Sequence, residues 1–199
     1  MLKPLLLISA LLMSSLTLAK PKDDGSQIQP DNYYPRVKLL TSMGDIVVEL
    51  ERYKAPITVN NFLRYVDKRS YEGTIFHRVI ADFVVQGGGY DKDFAQKPAF
   101  GTIFNESGNG LKNTLYSITM ARENDPHSAT RQFFFNMNDN ESLDPGRKWG
   151  YTVFGSVVEG HEVLDKISQV KTDYEQTYGW ADVPIEQVIL LKALILPAQ

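Results

Sequence analysis

Between Phe76 and Gly89 the chain runs Phe-His-Arg-Val-Ile-Ala-Asp-Phe-Val-Val-Gln-Gly-Gly-Gly. Arg78 and Gln86 therefore sit among residues that otherwise read as a buried strand. A guanidinium is costly to bury unless it is hydrogen-bonded. Arg78 should either be paired structurally or line a cavity, and the residue types alone favour neither. Other chemistries find little material. His77, His127 and His161 lack any H-E-x-x-H pairing, and cysteine is absent, so no metal or cofactor is expected and a thiol nucleophile is excluded. The glycines at 87–89 are not followed by the Lys-Ser/Thr of a phosphate loop; they read as a bend or a close backbone approach. No G-x-S-x-G elbow is present, and no pair of carboxylates stands out by spacing.

The elements that must carry these residues are short. Val37–Leu40 and Asp45–Leu50 flank Ser42-Met43-Gly44, which predicts a hairpin. Pro56 suits the first turn of a helix, whose apolar face is Val59, Phe62, Leu63 and Val66. Strands are expected within Thr74–Val85 and at Leu115–Ala121, Gln132–Met137 and Tyr151–Val158. A second helix follows Gly160 with Val163, Leu164, Ile167 and Val170 on one side. The last strand, Val188–Leu196, is apolar enough to be deeply buried. Asp91–Phe100 and Thr172–Pro184 read as solvated connections. Many short strands with two separated helices predict a mainly β fold, a closed or nearly closed barrel capped by helices.

The run from Phe76 to Gly88 resembles the signature of the cyclophilin family of peptidyl-prolyl cis–trans isomerases. Further landmarks follow in family order: Gly110–Thr114, Ile118–Arg122, Ser128–Asn136, Leu143-Asp144 and Tyr151–Gly160. The resemblance spans about Val37 to Leu196. It implies an eight-stranded antiparallel closed barrel capped by two α-helices, with a proline-binding groove on its outer surface and no cofactor. Arg78 matches the family's catalytic arginine and Gln86 the glutamine that orients it. Phe83, Phe134 and Leu143 match the walls of the proline pocket, with Val84 where many members have methionine. Gln132 and Ala121-Arg122 match positions beside the substrate backbone, and His77 is a neighbour of the arginine. Tyr151 stands where many eukaryotic members have histidine, and Arg122 where they have asparagine. Ser142 replaces a large aromatic residue that contacts cyclosporin, so tight cyclosporin binding is not expected.

The resemblance implies rotation about Xaa-Pro bonds in unfolded or flexible polypeptides. The alternative is a chaperone or adaptor that holds proline-containing segments with little turnover. Composition is that of an ordinary globular protein, 43% hydrophobic and 23% charged over 199 residues. At the amino terminus Lys3, the apolar Leu5–Met13 and Thr17-Leu18-Ala19 have the layout of a signal peptide cleaved after residue 19, too short for a membrane span. Residues 20–35 read as a flexible polar lead-in, and 36–197 as one isomerase domain. Cleavage would leave 20 basic against 24 acidic residues, which gives no reason to expect nucleic acid or an anionic membrane as partner. The expected setting is export, a bacterial periplasm or a secreted product, and nothing in the sequence points to a stable oligomer.

Overall fold

The computed structural model describes residues 23–198; the expected signal peptide lies outside them. The predicted hairpin forms as β1 (Arg36–Thr41) and β2 (Gly44–Leu50), paired in register from Arg36↔Glu49 to Thr41↔Gly44. Helix α1 (Pro56–Asp67) buries Val59, Phe62, Leu63 and Val66 as its periodicity requires. Its first turn has no side-chain cap from its own residues. Glu106 serves instead, accepting from the backbone N–H groups of Ile57 at 3.1 Å and Thr58 at 2.8 Å.

Strands β3 (Thr74–Ile75), β4 (Arg78–Ile80), β5 (Val84–Gly87), β6 (Ser117–Met120), β7 (Phe133–Asn136), β8 (Val153–Glu159) and β11 (Ile189–Ile195) complete the main sheet. Helix α2 (His161–Ser168) follows β8, and a two-stranded unit, β9 (Thr172–Glu175) and β10 (Trp180–Pro184), precedes β11. The main sheet is wholly antiparallel, in the order β3-β11-β1-β2-β8-β6-β7-β5-β4. It has nine strands rather than the expected eight, and its ladder does not close. Its edges, β3 and β4, are separated in the chain only by Phe76 and His77, because the strand-forming stretch Thr74–Val85 bends twice. The second bend is at Asp82, whose φ is 57°.

The curled sheet wraps around Phe62, Phe76, Phe133, Phe135 and Phe154, none more than 1% exposed, with both helices packed against it. Two expectations fail. Strand β11 is only half buried, with Leu191 and Leu194 in solvent at 53% and 41% exposure, because one face of an antiparallel strand looks outward. The segment 172–184 is not an irregular connection but the β9–β10 hairpin, laid beside β4. The described part of the lead-in, 23–35, carries contacts: Gln29 donates to the Leu196 carbonyl at 2.7 Å, and Arg52 donates to the carbonyls of Ile28, Gln29 and Asn32.

Candidate active site

Strand alternation decides what the sheet presents outward. In β4 Val79 points into the core, leaving Arg78 and Ile80 outside. In β5 Val85 points in, leaving Val84 and Gln86 out; in β7 Phe133 and Phe135 point in, leaving Phe134 out. Register then aligns them. Arg78 is paired with Gln86, Gln86 with Phe134, and Phe134 with Thr119, a single row across four strands.

Loops wall the row off. The turn between β4 and β5 delivers Phe83, whose carbonyl accepts from Met137 N at 2.8 Å and Asn140 Nδ2 at 2.9 Å. The 3₁₀ turn Glu141–Leu143 places Leu143, whose carbonyl accepts from Tyr151 N at 2.9 Å. The loop is locked by Asp144, which accepts from Asn113 N and Nδ2 and sits 3.3 Å from Lys112 Nζ. Burial alone would raise the Asp144 carboxyl, but the Asn113 donors and Lys112 outweigh it and hold it below its ordinary value. Tyr151 meets Phe134 edge-to-face at 5.8 Å, and the Arg122 guanidinium lies 4.4 Å over the Tyr151 ring.

The result is an open cleft of about 440 Å³ lined by Arg78, Phe83, Val84, Gln86, Ala121, Arg122, Phe134, Leu143 and Tyr151. These are nine of the eleven residues expected from the sequence. The other two, His77 and Gln132, line a neighbouring recess of about 480 Å³ that shares Arg78 and Gln86 as a common wall. Its far side is made by Tyr90 and by Trp180, Ala181 and Asp182 of β10.

The decisive match covers residues 36–193, which fit the model of the family described as cyclophilin type peptidyl-prolyl cis-trans isomerase/CLD. The chain belongs to the cyclophilin family. Its reaction is rotation about the peptide bond that precedes proline. Among curated relatives, a peptidyl-prolyl cis-trans isomerase of Streptomyces antibioticus is 52% identical over 164 residues, covering 80% of this chain and 98% of that one. Isomerase B of Escherichia coli K12 is 47% identical over 154 residues, 75% and 93% of the two chains. A solved cyclophilin-type isomerase of Cryptosporidium parvum superposes with a TM-score of 0.69 at 24% identity, over 83% of this chain and 99% of that one. A second structure of the same protein, determined in the presence of the dipeptide Ala-Pro, has a TM-score of 0.68 at 24% identity, over 81% and 99%.

Within this cyclophilin Gln86 is the register partner of Arg78, and its side-chain amide N–H donates to Gln132 Oε1 at 3.0 Å. The group in ionic reach of Arg78 is Asp182, with Oδ2 4.0 Å from Nε. Asp182 sits at a φ of 61° in a register shift of β10. The sequence reading missed it, as well as Trp180 and Tyr90, because nothing in the residues 172–184 foretold a hairpin beside the arginine.

His77 is 7% exposed and packs edge-on against Tyr90 at 4.8 Å. Burial, assisted by the Arg78 charge and opposed by a backbone hydrogen bond at Ile75, pushes it down to about 4. At neutral pH it is an uncharged wall of the recess. The triple glycine is explained by crowding. Gly88 has a φ of +83°, and a Cβ on Gly89 would lie 2.6 Å from the Gln132 side chain, so this close approach lets Gln132 stand beside Gln86. Among the described residues no cluster of three His, Asp or Glu side chains could hold a metal ion.

Proposed function

We propose that Arg78 stabilises the twisted Xaa-Pro amide while Phe83, Val84, Phe134 and Leu143 hold the proline ring. The observation that carries this reading is the arginine's position in the wall of a cleft that also presents the apolar side chains of Phe83, Val84, Phe134 and Leu143. Resonance gives the peptide C–N bond a rotation barrier of about 18–20 kcal/mol, and isomerisation before proline takes tens to hundreds of seconds unaided. No bond breaks, so no nucleophile is needed. As the amide twists, the prolyl nitrogen's lone pair leaves the π system and becomes a better acceptor for a guanidinium N–H. An interaction stronger in the twisted state than in either planar isomer is what lowers the barrier. A substrate lying over the cleft displaces water and strengthens that hydrogen bond. Gln86, tied to Gln132, forms a fixed floor beside Arg78, and Ala121, Arg122 and Tyr151 border the substrate backbone.

The biological setting we propose is folding of exported proteins, in a bacterial periplasm or outside the cell. The support is the layout of residues 1–19, which lies outside the described structure. Among the described residues no helix is long and apolar enough to cross a membrane. Ser142 is exposed on the 3₁₀ turn and offers no aromatic surface, which supports weak cyclosporin binding.

The test is exchange spectroscopy or a protease-coupled assay on a short Ala-Pro peptide, using residues 20–199 and Arg78→Ala. One charge-assisted hydrogen bond is worth about 1.5–3 kcal/mol, so the variant should lose roughly ten- to a hundredfold in kcat/KM. A folded Arg78→Ala protein as active as the parent would sink the mechanism. A parent that binds proline peptides without accelerating them would favour the holding function instead.

A further inference from the structure

Resting on the isomerase reading above, we propose that Arg122 is a specificity-determining residue, giving the cleft a preference for segments with a carboxylate side chain adjacent to the proline. Arg122 stands in the cleft wall next to Ala121, its guanidinium stacked over the Tyr151 ring at 4.4 Å. Three backbone carbonyls hold it: Gly150 accepts from Nε at 3.3 Å, Glu123 from Nη1 at 2.8 Å and Trp149 from Nη2 at 2.9 Å. A guanidinium has five N–H groups. These contacts use one on each nitrogen and leave one N–H on each of Nη1 and Nη2.

All three acceptors are neutral, so the positive charge is held in place but not balanced. The other charged groups nearby each have an opposite charge within 4.0 Å. Arg78 has Asp182 at 4.0 Å, and Asp144 has Lys112 at 3.3 Å together with the Asn113 donors. Among the described residues no carboxylate forms an ion pair with Arg122. A side chain fixed at three points loses little further freedom when a ligand arrives. Its spare donors and unpaired charge suit an acidic side chain, and they repel a lysine brought to the same place. The apolar walls at Val84, Phe134 and Leu143 set this charge beside a region that a bound segment would dry.

The test compares peptides that differ only in one residue, Glu, Gln or Lys, placed immediately before the proline in one series and immediately after it in another. Isomerisation is followed by exchange spectroscopy with the parent and with Arg122→Gln. In the parent, kcat/KM for Glu should exceed that for Lys by about three- to tenfold in at least one series, the scale of a partly exposed charge pair. The advantage should shrink as added salt screens it, and it should approach unity in Arg122→Gln whatever that variant does to the Gln peptides. Equal Glu and Lys rates in both series for the parent would overturn the proposal. So would a variant that slows all peptides alike while keeping the ratio, which would make Arg122 only a tie for the Trp149-Gly150 loop. A parent that accelerates no peptide, the Gln ones included, would remove the isomerase reading and this inference with it.

Discussion

Arg131 and Arg78 flank the same triple glycine and are used in opposite ways. Arg131 is 2% exposed and divides its donors among the carbonyls of Gly88, Pro98 and Ser70, with its guanidinium over the rings of Tyr65 and Tyr71. Its charge is spent on holding three loops together. Arg78 has a side chain 38% exposed and a single carboxylate at 4.0 Å. Its donors face a cleft. The contrast teaches that a guanidinium available for chemistry is one the fold has left underused, and that its scaffold is built partly from another guanidinium used to the full.

The largest effect should come from breaking the spent arginine. Arg131→Met keeps the stem but leaves carbonyls of three loops without their donor, at about 1–3 kcal/mol for each buried group. Chemical denaturation should show roughly 3–5 kcal/mol of lost stability, with turnover falling only as the folded fraction falls. Arg78→Ala should do the reverse, leaving stability within about 0.5 kcal/mol, as for other partly exposed positions, while activity drops as stated above. If the two variants lost stability equally, the distinction drawn between the two arginines would be wrong.

His77 supplies an intermediate effect with a defined pH window. Its ordinary value is near 6.5 and the folded protein pushes it down to about 4. The unfolded chain therefore binds the proton first as pH falls. The stability associated with neutral His77 is complete above about pH 6.5 and is lost progressively as pH falls toward 4. Between pH 7 and 5 this linkage amounts to about 2 kcal/mol. Denaturation at the two pH values, compared with the same pair for His77→Gln, should show the parent losing about that much more. Identical losses would mean that His77 charges in the folded state without penalty.

Arg78 was legible in the sequence because an arginine amid β-branched and aromatic residues is conspicuous, and strand alternation then sets it outward. Arg131 was not singled out, although it is the more deeply buried. Its partners are backbone carbonyls at positions 70, 88 and 98, which leave no mark in residue type. The same holds for Glu106, which caps α1 from about fifty residues away with no local capping motif. Helices and the β1–β2 hairpin were readable from apolar period and turn residues. The half exposure of β11 was not, since an apolar run does not say which face another layer will cover. The β9–β10 hairpin was missed for a related reason. Its first strand is exposed and polar, its second is a short mixed run ending in proline, and only pairing with each other and contact with β4 make them strands.

That hairpin sets the smallest prediction. Asp182 approaches Arg78 at Nε, which leaves the terminal nitrogens outside the pair. Both side chains are more than a third exposed, so the pair is screened in the free enzyme and worth at most about 1 kcal/mol. Asp182→Asn removes the charge without straining the backbone, because asparagine also tolerates the positive φ found there. If Asp182 orients the guanidinium, kcat should fall by about two- to fivefold, with KM and melting temperature nearly unchanged. Asp182→Glu should recover part of the loss. A rise in kcat would carry the opposite meaning, that Asp182 draws donors away from the substrate and that the underused arginine is partly restrained until a segment displaces it.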